Sequence, residues 1–213
     1  MHSLWCLLVT PFSKWQGSLA HLHSVEFAAH VAKLSLAAKN IPLEVFDYGV
    51  LGMSVPQQGC FYGLPWLTGM MGAGQVGGPT IAQACATSTR VMATAYAELQ
   101  MNAANCVLTV TTDRISNGPH IYYPNPGGPG GTGRAENWVM DNFAEDPYAK
   151  CDMTQTAENC AAKWDISTRE QHEVVARRYE QYQDAIKIHE GESFQQRYMT
   201  YLLMCQTRVT KKY

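Results

Sequence analysis

A chain of 213 residues, 46% hydrophobic and with a formal net charge of −2, holds enough apolar material for a sizeable core and one or two domains. So small a charge gives nucleic acid or an anionic membrane nothing to grip, and no apolar run is long enough to cross a bilayer. The seven cysteines, Cys6, Cys60, Cys85, Cys106, Cys151, Cys160 and Cys205, are odd in number and include no C-x-x-C pair; this argues against a disulfide framework and for a reducing, cytoplasmic setting, and the histidines do not fall at zinc-ligand spacing near them.

Residues 1–9 are apolar but lack the length and basic flank of a signal peptide. Within them, 5–9 reads as a first strand, apolar throughout and so expected at the centre of a sheet. Thr10-Pro11-Phe12 ends it. Ser24 is the expected N-cap of a helix over 25–38, with Ala28, Val31, Ala32 and Leu36 at helical spacing, closed by Asn40 and Pro42. Residues 44–53 read as a second strand. The stretch 59–72 reads as a buried connecting helix, with Pro65 in its first turn and Phe61, Tyr62, Trp66, Leu67, Met70 and Met71 as core aromatics and apolars. Gly72, Gly74, Gly77 and Gly78 are turn residues, since no lysine or strand–GxGxxG–helix order marks a phosphate loop.

The next stretch organises the rest. Residues 80–84 read as a short buried strand, and Val91, Met92, Ala95, Tyr96 and Leu99 form one stripe of a following helix. Cys85 therefore sits where a strand turns into a helix, among unpaired N–H groups and at the positive end of the helix dipole. Such a place favours the thiolate, which is the nucleophile. A free cysteine is as often a small buried hydrophobe, and spacing alone does not choose between the two.

Residues 106–112 read as a further strand, rich in β-branched side chains. Strand and helix alternation to this point argues for a largely parallel α/β sheet. Residues 113–133, with Asn117-Gly118-Pro119-His120 and a run of prolines and glycines from Pro124, read as irregular backbone. His120 is a candidate acid or base, although a histidine in such a loop is more often structural. Helices are expected over 153–164 and after Ser167, which forms a capping box with Glu170. The second of these carries Val175, Tyr179, Tyr182 and Ile186 on one face.

The segment Gln83-Ala84-Cys85-Ala86-Thr87-Ser88 opening a helix resembles the nucleophilic-cysteine region of thiolases, the acyl-CoA acyltransferases, and also that of the β-ketoacyl synthases that share their fold. The strand running into Thr10-Pro11-Phe12 is similar to the thiolase opening, with Val9 where the family has arginine. Gly118-Pro119-His120 is similar to the turn after the family's fourth strand. Met153, Thr156-Ala157-Glu158-Asn159, Ile166-Ser167 and Gln171 match a loop-domain pattern that β-ketoacyl synthases lack, so this stretch favours thiolase. Residues 198–213 match nothing in the family.

The resemblance implies a thiolase-like N-terminal half over 1–114, a mostly parallel mixed sheet with flanking helices, then an irregular α-rich loop domain over 115–200 and an unassigned tail over 201–213. It implies that Cys85 takes an acyl group from acyl-CoA as a thioester, with CoA thioesters as substrates and no other cofactor. Met153 then lines the acyl pocket, and Asp152 stands where the family often has histidine, adding negative charge near a ligand that carries phosphates. The family's Gly-His-Pro, Cys-x-Gly and Asn-Glu-Ala-Phe motifs do not occur in the 213 residues. The chain thus reads as a truncated thiolase, inactive in isolation and active only with a complementary half or a partner subunit, and a homo-oligomer or a complementary C-terminal half is the expected partner. The alternatives are a non-catalytic remnant or association module, and a β-ketoacyl synthase-like condensing enzyme. With no second half to cover it, the stripe from Val91 to Leu99 cannot be wholly buried against one sheet, and self-association is expected.

Overall fold

The structure is a computed structural model that describes residues 2–6, 8–10, 13–188 and 203–206; of β1, β7, Ala185, Ile186 and Ile188 only the backbone is described. The chain divides into two units, Met1–Pro119 with Tyr198–Tyr213, and His120–Arg197.

The first unit is built on a five-stranded mixed sheet. Its strands are β1 (His2–Cys6), β2 (Tyr48–Gly52), β3 (Thr80–Ile81), β4 (Cys106–Thr111) and β7 (Leu203–Gln206), in the order β1-β7-β4-β2-β3. β2 runs parallel to both β3 and β4, and β7 runs antiparallel to both β1 and β4. The α/β class and the mixed, mostly flanked sheet are as the sequence implied. Two details are not. The first strand ends at Cys6 rather than spanning 5–9, and it lies at the edge of the described sheet, because β7 from the tail is inserted between it and β4. The tail that matched nothing in the family thus contributes a strand, while 198–202 and 207–213 lie outside the described residues, as do Pro11 and Phe12.

Alternation along the strands sets the layers. Val50 and Val107 point to one face, where they meet Val91, Ala95 and Leu99 of α3 (Thr87–Gln100). Leu51, Cys106 and Leu108 point to the other, where α1 (Ser24–Ala38) brings Val25, Ala29, Ala32 and Leu36, and α2 (Leu64–Met71) brings Leu64, Leu67 and Met71. The result is a helix–sheet–helix sandwich with a core on each side of the sheet. Gly52 permits the close seat of α3: a Cβ there would stand 2.7 Å from Val91 Cγ2 and 2.9 Å from Thr87 Cγ2.

Several local expectations shift. His23, not Ser24, is the N-cap of α1; its Nδ1 accepts the Glu26 N–H at 3.5 Å, and Ser24 is already helical and buried. Asn40, at φ +55°, turns the chain out of the helix. The second strand is shorter than 44–53 because Leu43–Val45 forms a 3-10 turn ahead of it. Phe61 and Tyr62 are not core residues: they precede α2, pack edge to face on each other and are exposed, Phe61 at 92%. The strand expected over 80–84 is two residues long and is not buried: among the described residues it pairs with β2 alone, at the sheet edge, and the chain leaves the ladder after Ile81.

The second unit contains an antiparallel hairpin, β5 (His120–Tyr123) and β6 (Arg134–Asn137), where irregular backbone was expected. Tyr122 Oη accepts the Gly133 N–H at 2.8 Å at the loop end of the hairpin. Three helices follow among the described residues: α4 (Met140–Ala144), α5 (Met153–Lys163) and α6 (Thr168–Ile188). The capping box is present, with Glu170 Oε2 accepting the Ser167 N–H at 2.8 Å. Among the described residues of this unit only Val139 is buried. The α6 stripe of Val175, Tyr179 and Tyr182 is exposed rather than packed.

Candidate active site

Cys85 lies in a single 3-10 turn, Ala84–Ala86, that joins β3 to α3. It is neither in mid-strand nor in mid-helix, and it is exposed. The turn is unusual at the residue before it. Ala84 has φ +44°, a conformation that costs a Cβ-bearing residue about 1–2 kcal/mol.

Side-chain hydroxyls hold that conformation. Thr87 Oγ1 donates to the Ala84 carbonyl at 2.7 Å and accepts the Gln83 N–H at 2.8 Å. Ser54 Oγ lies 3.0 Å from Thr87 Oγ1 and 3.1 Å from the Ala84 carbonyl oxygen. Ser54 is itself fixed by Asp113, whose carboxylate accepts the backbone N–H of Ser54 at 2.9 Å and of Val55 at 2.8 Å. Desolvation raises the Asp113 pKa, outweighing the lowering by those hydrogen bonds. On the outer side, Arg90 Nε donates to Gln83 Oε1 at 2.8 Å. The N-cap of α3 is Ala86, which has no side-chain acceptor, and no acidic residue occupies the first turn. The Ala86 and Thr87 N–H groups are taken by the Gln83 and Ala84 carbonyls, so the turn is closed by its own backbone, while the positive end of the α3 dipole carries no acidic side chain.

Cys85, Ser54, Thr87 and Asp113 all line one groove of about 750 Å³ in the first unit. It opens at the carboxyl ends of β2 and β4, where Gly52 and Thr111 stand, the end at which open α/β sheets bind ligands. Phe27, Val31, Met92 and Leu108 make much of it apolar, and among the described residues its lining contains no histidine.

The other sequence candidates fall elsewhere. Met153 is the first residue of α5, in the second unit, and is 48% exposed. Asp152 is the N-cap of that helix and accepts the Gln155 N–H at 2.7 Å, which gives its charge a structural use. His120 is exposed on β5. One cysteine–histidine pair does occur away from Cys85: Cys60 Sγ is 3.7 Å from His23 Nε2. That nitrogen also sits 2.8 Å from the Gln58 carbonyl oxygen, which can only accept, so Nε2 carries the proton and is no base for Cys60. Desolvation pushes the Cys60 thiol up as well. Among the described residues no group of histidine, cysteine and carboxylate side chains could hold a metal ion, and no helix is long and apolar enough to cross a membrane.

The sequence pointed to Cys85 but not to the hydroxyl network around it. Ser54 and Asp113 follow the carboxyl ends of β2 and β4, and that position was the available signal. Thr87 gave none beyond its place two residues after Cys85.

Comparison with known proteins accords with this geometry. The sequence pattern of the thiolase N-terminal domain matches residues 8–196. An acetyl-CoA acetyltransferase of Paracoccus denitrificans is 26% identical over 171 residues, 76% of this chain. The mitochondrial acetyl-CoA acetyltransferase erg10A of Aspergillus fumigatus is 25% identical over 183 residues, 84% of this chain. The chain spans 42% of the length of each. Among solved structures, human mitochondrial 3-ketoacyl-CoA thiolase in complex with CoA superposes with a TM-score of 0.76 at 16% identity, over 95% of this chain and 64% of that one, a likeness of fold. A match over nearly the whole chain, with Cys85 at the strand-to-helix turn and the mixed sheet around it, means that the chain belongs to the thiolase family, of which it holds the N-terminal domain.

Proposed function

We propose that the chain carries out the acyl-accepting half-reaction of an acyl-CoA C-acyltransferase of the acetyl-CoA acetyltransferase type, with Cys85 as nucleophile. The observation that carries the reading is the exposed Cys85 thiol, set in a turn at the start of α3 and on the rim of an apolar groove. Its sulfur attacks the thioester carbonyl carbon. A bond forms from Cys85 Sγ to that carbon, the bond to the CoA sulfur breaks, and the thiol proton ends on the departing CoA. The N–H of Cys85 and the positive end of the α3 dipole suit the oxygen that becomes negative on the way. The groove takes the acyl chain, and Met153 is assigned to the acyl pocket by family likeness alone. CoA thioesters are the only small molecules the reading needs, and the free thiols of Cys60, Cys85, Cys106, Cys151 and Cys160 suit a cytoplasmic setting.

Full turnover needs a base and a second acid–base group assembled with the nucleophile. The lining of the groove holds no histidine among the described residues, which favours completion by a complementary C-terminal half carrying the Gly-His-Pro and Cys-x-Gly motifs. The same observation favours a second reading, an association module without turnover. Intact-mass analysis after incubation with acetyl-CoA separates the two. An acetyl adduct that maps to Cys85 and is lost in Cys85→Ala supports the first reading; no adduct on a folded chain overturns it.

A further inference from the structure

We infer that Thr87 is a positioning residue for Cys85, acting through its hydroxyl on the left-handed Ala84, with Ser54 as its support; the inference rests on the reading of Cys85 as the nucleophile. Ala84 is the one residue between 80 and 100 with a positive φ and a side chain. An alanine left to itself relaxes towards negative φ. Relaxation at 84 would swing the next residue, Cys85, relative to the first N–H groups of α3. Something must therefore hold the peptide groups at the two ends of the Gln83–Ala84 pair.

Thr87 Oγ1 does so from one atom. It takes the Gln83 N–H on the near side and gives its proton to the Ala84 carbonyl on the far side, at 2.8 and 2.7 Å. A hydroxyl has one proton and two lone pairs, so one acceptor site is left. Ser54 Oγ, 3.0 Å away, faces it. Thr87 is 6% exposed, so these partners have no ready substitute in water. The Thr87 methyl acts separately, packing over Gly52 and helping to seat α3 on β2. The two ends of one side chain thus divide between seating the helix and setting the turn. Asp113 completes the support by gripping the backbone N–H groups of Ser54 and Val55, so the hydroxyl of Ser54 is held at the end of β2.

The division makes the test. Thr87→Val keeps the methyl and loses the hydroxyl; Thr87→Ser does the reverse. The readout is the rate of iodoacetamide labelling at Cys85 relative to Cys160, an exposed cysteine on α5 that serves as internal reference, with circular dichroism to verify the fold. Thr87→Val is expected to lower the ratio about tenfold, the worth of one buried hydrogen bond. Thr87→Ser is expected to keep it near the wild-type value while lowering the unfolding midpoint through lost packing. A folded Thr87→Val chain with an unchanged ratio overturns the inference, as does a Thr87→Ser chain that loses as much as Thr87→Val. Should Thr87→Val unfold, seen as labelling of the buried Cys60 and Cys106, Ser54→Ala decides: a lowered ratio supports the inference, and an unchanged one overturns it. An acetyl-CoA arm separates this from the functional reading. Wild-type Cys85 that labels faster than Cys160, yet takes no acetyl group, removes the acyltransferase and leaves the positioning role standing.

Discussion

Truncating the two sides of α3 separates its buried stripe from its open one. Leu99 is 0% exposed, packed with Val50, Val91, Ala95, Ala104 and Val107. Leu99→Ala removes about 2 kcal/mol of transfer free energy and leaves a cavity lined by those side chains, for a total of about 3–4 kcal/mol. Met92 lies one residue after the buried Val91 but is 41% exposed, on the groove. About three-fifths of a side chain whose full burial contributes about 2 kcal/mol gives about 1 kcal/mol for Met92→Ala, with no penalty from helix propensity. The expected gap is about 2 kcal/mol, within reach of urea unfolding followed by far-ultraviolet circular dichroism. Equal costs for the two variants would mean that Met92 is covered in solution and that the groove is closed. A cost for Leu99→Ala below about 1 kcal/mol would mean that α3 is not packed on β2 and β4 as described.

Labelling of the native chain with iodoacetamide should reach Cys85 and Cys160 first and leave Cys60 and Cys106 unmodified, because the latter two are buried; prior labelling of Cys60 would contradict its burial beside a His23 ring that donates to the Gln58 carbonyl. Asp47 should stabilise the fold at neutral pH and cease to do so in acid. Its burial works to raise the pKa, but hydrogen bonds from the Cys106 and Asn105 N–H groups and the Asn105 side chain outweigh it and hold the pKa below 3.8, so the contribution is present above that value and lost as pH falls through the lower, folded one. Asp47→Asn should flatten that part of the stability–pH profile, read from urea midpoints across the acid range. The exposed Met92 and Tyr96 on α3 should make the chain self-associate, and Met92→Lys should raise the concentration at which light scattering detects it.

The sequence disclosed those parts of the fold that rest on periodicity. The α3 stripe is the clearest case. Spacing named five apolar positions, and the structure buries Val91, Ala95 and Leu99 while leaving Met92 and Tyr96 out. That split follows from geometry, since one sheet covers only part of a helix. Strand positions were legible where they were central, as in β4, and poorly legible at the edge, as in β3, where pairing on one side alone let the chain leave the ladder after two residues. The exposed Phe61 and Tyr62 show the limit of composition: aromatic residues beside a buried helix were read as core, but the positive φ of Gly59 and Gly63 belongs to a loop that carries them outward.

The place of Cys85 was legible in the sequence and its support was not, and the physical reason lies in how each is encoded. A cysteine between a strand and a helix is a local pattern. The hold on it is not local: Ser54 is 33 residues from Thr87, and Asp113 is 59 from Ser54. Each of the three is an ordinary polar residue in sequence, with no period and no motif. They meet because β2 and β4 are parallel neighbours whose carboxyl ends finish side by side, with Gly52 opposite Thr111. Parallel pairing brings the loops after each strand to one edge of the sheet, and β3 delivers Ala84 and Cys85 to the same edge. The strained turn is thus set by the sheet's strand order. A substitution that shifts β4 against β2 by one register step should disturb Cys85 more than one made on the solvent face of α3 beside it.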